Sequence, residues 1–129
     1  MNLLYIGEID FCQNNSAAVV RVLNNCKSIV SNGYNRVKLV GLGNKPISKL
    51  DSIDVLSVRK GNSIFVKFVN YCFRGFQFVH LINTLETNTD GVIYYGSSSR
   101  ILIPLIVYCR FKKIKIITDI VEWYDYSHL

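Results

Sequence analysis

The residues best equipped for chemistry stand together near the end of the sequence. Asp119, Glu122, Trp123, Tyr124 and Asp125 follow an apolar run, Ile114 to Thr118, within the stretch KIKIITDIVEWYDYSHL. A carboxylate there can orient or deprotonate a hydroxyl, and the indole and phenol rings can stack on a sugar-like ring. Carboxylates and aromatics just past a buried strand are what the ligand-facing loop of an open α/β sheet presents. The same residues can equally open a helix, with Asp119 as its cap and Trp123 in the core. The residues by themselves leave both readings open.

Two glycines, Gly7 and Gly96, each end an apolar strand-like run. A glycine at such a position lets a ligand approach the backbone closely. The alternative is that each merely terminates its strand. No G-x-G-x-x-G or G-x-x-x-x-G-K-S/T occurs, so neither a dinucleotide nor a P-loop site is expected, and no cofactor is implied. Ser97, Ser98 and Ser99 lack a G-x-S-x-G setting and read as a helix start. Cys12, Cys26, Cys72 and Cys109 are widely spaced, and His80 and His128 are the only imidazoles, so no metal site is expected.

These residues need elements to position them. Asn2 to Ile6, Val37 to Leu42, Ile53 to Val58, Gly91 to Tyr95 and Ile114 to Thr118 are short apolar runs with little alternation, as in strands buried on both faces. Between the first two, Val19, Val22, Leu23, Cys26, Ile29 and Val30 fall on one helical face, while Arg21, Asn24, Asn25, Lys27 and Ser28 point away. Asn15 or Ser16 can cap that helix, and Gly33 can stop it. Ser63 to about Leu85 has a helical period interrupted by Gly75, which predicts two pieces or a kink. Ser97 can cap a last helix running to about Phe111, with Pro104 bending it or delaying its start. The expected fold is α/β: a Rossmann-like open parallel sheet of about five strands, order 3-2-1-4-5, with helices on both faces. Its ligands belong beyond the carboxyl ends of the first and fourth strands, where the sheet order reverses.

Length and charge narrow the class. The 129 residues fit a single domain, and a formal charge of +6 favours anionic partners. Lys112, Lys113 and Lys115 form the one tight basic group, too small to predict nucleic-acid binding. Arg59, Lys60, Lys67 and Arg74, interleaved with Phe65, Phe68, Tyr71, Phe73 and Phe76, could rest on an anionic membrane surface; the simpler expectation puts most of those rings in the core. MNLLYIGEID does not read as a signal peptide, and the run Ile101 to Val107 is too short to span a bilayer, so a reduced cytoplasmic setting is expected.

Three stretches taken in order resemble a known family. LLYIG with NNSAAVVRVLNNCKSIVSNGYNRVKLVG, then TDGVIYYGSS, then KIKIITDIVEWYD are similar to the N-terminal domain of retaining, family 4 type GT-B glycosyltransferases of bacterial polysaccharide synthesis. The resemblance implies the acceptor-binding half of an enzyme that moves a hexose from a nucleotide sugar to a glycan or lipid-linked acceptor. It implies a nucleotide-sugar-binding C-terminal domain after residue 129, or a separate subunit, and an inactive chain without it. Gly7, Asn15, Arg21, Gly96, Trp123 and Tyr124 then belong to the acceptor side, and Asp119 and Glu122 to the chemistry. Many relatives carry a catalytic histidine about where Asp119 stands. The alternative is a flavodoxin-like, non-catalytic module for a phosphorylated ligand or a protein partner.

Overall fold

The structure, a computed structural model, describes residues 1–11, 16–33, 36–43, 49–59, 61–85 and 88–120. Its strands are β1 (Asn2–Gly7), β2 (Arg36–Leu42), β3 (Lys49–Leu50), β4 (Ile53–Val58), β5 (Gly91–Tyr95) and β6 (Lys115–Asp119). Its helices are α1 (Ala17–Ser31), α2 (Ile64–Thr84) and α3 (Ser99–Lys112). One six-stranded sheet runs β3-β4-β2-β1-β5-β6. The strands expected from the sequence are β1, β2, β4, β5 and β6; they pair in parallel in the expected order.

The extra strand corrects that expectation. β3 pairs antiparallel with β4 through Leu50 opposite Ile53, across a turn of Asp51 and Ser52. Both turn residues have positive φ, 47° and 72°, as a two-residue type I′ hairpin requires. Asn-Gly is the usual signal for that turn, and Asp-Ser hides it. β6 also begins and ends one residue later than its apolar run, which brings Asp119 opposite Tyr95.

Side-chain alternation along the strands feeds two cores. On one face Tyr5, Leu39, Val37, Ile53 and Val55 meet Val19, Val22, Leu23 and Cys26 of α1. On the other, Leu4, Ile6, Val40, Val92 and Tyr94 meet Phe78 and Ile82 of α2 and Ile101, Leu105 and Cys109 of α3. Ser16 caps α1, its Oγ accepting from the Val19 amide at 3.2 Å, and Gly33 follows the helix at φ +73°. Asn15, the other candidate cap, lies outside the described residues. Val30, expected on the buried stripe of α1, is exposed.

Three expectations for the second helical layer are corrected. α2 is one helix through Gly75, because Gly75 is where α3 presses against it. A methyl group built there would sit 2.5 Å from the Arg100 carbonyl oxygen and 2.8 Å from Pro104 Cγ. Pro104, having no N–H, leaves that Arg100 carbonyl without its ordinary i+4 donor. α3 starts at Ser99 without delay, and Ser98 rather than Ser97 is its N-cap, with no side-chain capping bond. Finally, the aromatics of α2 are not core. The buried residues of α2 are Asn70, Arg74, Gly75, Phe78 and Ile82, which leaves Phe65, Phe68, Tyr71, Phe73 and Phe76 exposed.

Gly75→Ala discriminates between propensity and packing. Helix propensity alone favours the alanine by about 1 kcal/mol. Contact with a backbone oxygen and a proline ring reverses the sign, so the variant should lose about 1–3 kcal/mol in urea denaturation.

Candidate functional site

Asp119, at the carboxyl end of β6, is held from three directions. The Tyr5 hydroxyl donates to its Oδ2, Asn25 Nδ2 donates to the same oxygen at 3.2 Å, and Arg21 Nη2 reaches Oδ1 at 2.9 Å. Asn25 Nδ2 also donates to the Tyr5 hydroxyl oxygen, at 3.1 Å. The carboxylate is 17% exposed and the Arg21 side chain 43%, so the ion pair sits at the rim of the α1 layer and the tyrosine beneath it. The helical pattern puts Asn25 on the solvent side of α1, and no motif marks Tyr5. A tyrosine inside a hydrophobic strand run carries a hydroxyl that must find a partner when buried, and that is the signal that could have found it. The arrangement ties the edge strand to β1 and α1, with two hydrogen bonds on Oδ2 and one on Oδ1.

A cleft of about 280 Å³ opens where the sheet order reverses, beside the ends of β1 and β5. Glu8, Ile9, Asp10, Ser16, Ala18, Tyr95 and Gly96 line it. It therefore takes Gly96 from the residues singled out in the sequence, and the start of α1 at Ser16. Gly96 has φ +140°, a backbone position that side chains disfavour. Gly7 lies under the cleft floor: a methyl group there would come within 3.2 Å of the Tyr95 carbonyl oxygen and of Ile9 Cδ1. Glu8 and Asp10 give the cleft two carboxylates, and among the described residues no cation lines it, although the buried Arg74 interacts electrostatically with Glu8. Glu122, Trp123 and Tyr124, like Asn15, fall outside the described residues. Of the named site residues the structure joins Asp119 to Arg21 and sets Gly7 and Gly96 at the cleft.

Arg74, expected on a basic surface, is instead buried at 8% exposure. Its Nη1 donates to the Arg59 carbonyl oxygen at 3.3 Å and to Gln77 Oε1 at 3.2 Å, while its Nε has no hydrogen-bond partner. Burial lowers its pKa below the usual arginine value, and the negative charge of Glu8 opposes that shift. A larger hollow of about 560 Å³ lies at the opposite edge, between the end of α1 and the starts of β2 and β4. The Lys27–Asp51 ion pair, at 2.8 Å, joins two of its lining residues. Size favours this hollow, but topology favours the smaller cleft, because ligands of open α/β sheets bind beyond the carboxyl ends of the strands. Among the described residues no cluster of His, Cys, Asp and Glu is arranged to hold a metal ion.

No family model matches this sequence, and a search of the curated proteins finds no match. Among solved structures, the chain is similar to the C-terminal domain of the PF1911 hydrogenase from Pyrococcus furiosus. The TM-score is 0.58 at 15% identity, over 92% of this chain and 90% of that one. A second structure of that domain matches with the same TM-score at 17% identity, over 92% and 89%. The fold is Rossmann-like. At such identity the likeness extends to the path of the backbone and no further.

Two outcomes follow from this geometry. Asp119→Ala strands the buried Tyr5 hydroxyl and should cost about 1–3 kcal/mol in urea denaturation, against less than about 1 kcal/mol for Arg21→Ala at the exposed end of the pair. The second is alkaline. Burial pushes the Cys26 thiol up to about 12 and the Cys109 thiol up to about 11. Burial, with the bond to Asp119 next, raises the Tyr5 hydroxyl above its ordinary value. The folded chain thus holds these protons more tightly than the unfolded chain. The stability they confer is complete below the unfolded values of 9.0 for the thiols and 10.0 for the phenol, and drains as pH rises through the folded ones. Melting temperature should therefore fall with pH above about 9, and Tyr5→Phe should flatten the fall above about 10.

Proposed function

We propose that the chain is the acceptor-binding half of a GT-B glycosyltransferase and takes a hydroxyl-rich acceptor, a glycan or lipid-linked sugar, in the switch-point cleft. The observation that carries this reading is the cleft lining: two carboxylates, a serine and a tyrosine, with no cation among the described lining residues. Carboxylates accept hydrogen bonds from sugar hydroxyls, and charged acceptors make the stronger ones. The same two negative charges repel a phosphate, which weighs against the flavodoxin-like module for a phosphorylated ligand. The resemblance of the stretches forming β1, α1, β2, β5 and β6 to such enzymes supports the same choice.

Hexose transfer from a nucleotide sugar requires a second, donor-binding unit, supplied by a C-terminal domain or a separate subunit. Asp119 enters this reading as the residue that fixes the end of β6, so that the segment with Glu122, Trp123 and Tyr124 departs from a defined point beside the cleft. Catalysis by Glu122 is part of the proposal. So is a cytoplasmic location at the inner face of the membrane, where a lipid-linked acceptor would be met.

Amide chemical shifts test the reading. A methyl hexoside should move the Gly7, Ser16 and Gly96 signals, and combining Glu8→Gln with Asp10→Asn should weaken its binding at least about fivefold. A hexose phosphate that moves those signals while the glycoside does not would favour the phosphate-binding module. Sugar transfer by the purified chain alone would refute the half-enzyme view.

A further inference from the structure

We propose that the outer face of α2 and α3 is a docking surface for an anionic lipid bilayer. The inference gives the membrane placement above a physical surface, and it stands or falls without any glycosyl transfer.

Helix α2 is apolar on both sides. Its inner stripe packs on the sheet, and its outer side carries Phe65, Phe68, Phe73 and Phe76, all exposed. Ile64 and Ile82 differ by 18 positions, five full turns, and so share one azimuth on the helix. Ile82 is 3% exposed and Ile64 is 87% exposed. The first turns of α2 therefore overhang the body of the fold and leave even its core-facing side in the open. Helix α3 continues the face with Ile103, Ile106, Val107 and Phe111, each exposed. An apolar surface this broad exceeds the scattered hydrophobes of an ordinary soluble face and marks a contact.

Charge selects the occupant. Residues 61–85 and 97–115 contain no aspartate or glutamate. Among the described residues, the exposed charges on α2, α3 and the turn that ends α3 are Lys67, Arg100, Arg110, Lys112 and Lys113, all positive. Arg100 lies 3.3 Å from the centre of the Tyr71 ring, which holds its charge at the level of the apolar face. A second copy of the chain docked by two-fold symmetry would bring these cations against one another. A bilayer with anionic headgroups supplies the opposite charge, and each surface cation there contributes to binding. No helix among the described residues is long and apolar enough to cross a membrane, so the contact lies in the plane of the interface. The overhanging end of α2 follows closely on the carboxyl end of β4, the same edge of the sheet that bears the cleft. Docking would hold the cleft beside the headgroups.

Vesicle sedimentation tests the surface. The chain should pellet with vesicles of equimolar phosphatidylcholine and phosphatidylglycerol, remain in solution with phosphatidylcholine alone, and be released by salt. Phe65→Ser combined with Phe68→Ser removes exposed rings only; it should leave the circular dichroism spectrum unchanged and weaken partitioning at least about tenfold. Arg100→Gln should weaken it about fivefold. Equal binding to both vesicles, no binding to either, or a dimer in light scattering that the double variant returns to monomer would each overturn the proposal. The last result would assign the face to a second copy instead.

Discussion

Parallel strands cannot be joined by a tight turn, and the layout of this chain follows from that constraint. Each return to the start of the sheet needs a crossover, and the three helices divide unequally: α1 on one face, α2 and α3 on the other. The single helix α1 covers β1, β2 and β4 and leaves Ile117 of β6 exposed on its side of the sheet. What α1 does not bury it reaches with polar side chains. Arg21 and Asn25 extend to Asp119 and, with Tyr5, bind the edge strand to the layer by hydrogen bonds where apolar contact gives out.

The crowded face answers the same constraint differently. Two adjacent helices on one side of a sheet must pack on each other as well as on the strands. Gly75 and Pro104 make the contact close, one by having no side chain and the other by freeing a carbonyl to face it. Residues that look like helix breakers in isolation are here the contact between two helices.

Much of this was legible in the residues. The five parallel strands, their order and the location of the cleft came from apolar runs, stop signals and the handedness of crossovers, because those depend on local chemistry and on a rule of topology. The errors share a different origin. Phe65, Phe68 and Phe76 look like core residues by type, and they stand outside because Asn70, Arg74, Gly75, Phe78 and Ile82 take the buried side of α2. Asn25 looks like a solvent residue until the third dimension places Asp119, 94 positions later, across from it. The Asp51–Ser52 turn lacks the glycine that announces a hairpin, and β3 was missed with it. Asp119 has the type and place of a reactive carboxylate, and what its sequence setting does not show is its partners, which are spread over β1 and α1.

A likeness in backbone path to the PF1911 hydrogenase domain carries no chemistry across, so the reading of function rests on the lining of the cleft and on the order of the resembling stretches. Glu8 and Asp10, drawn from the loop after β1, line the cleft although the sequence motifs did not mark them.

The two borders of the sheet are unlike. At one, β3 is only two residues long and pairs with no more than Ile53 and Asp54, so that among the described residues the rest of β4 has a partner on one side alone. At the other, β6 runs for five residues and, among the described residues, has β5 as its only neighbour. The β6 border is thus an unbroken ladder that ends at the Asp119 clamp, whereas the other is divided between β3 and the remainder of β4.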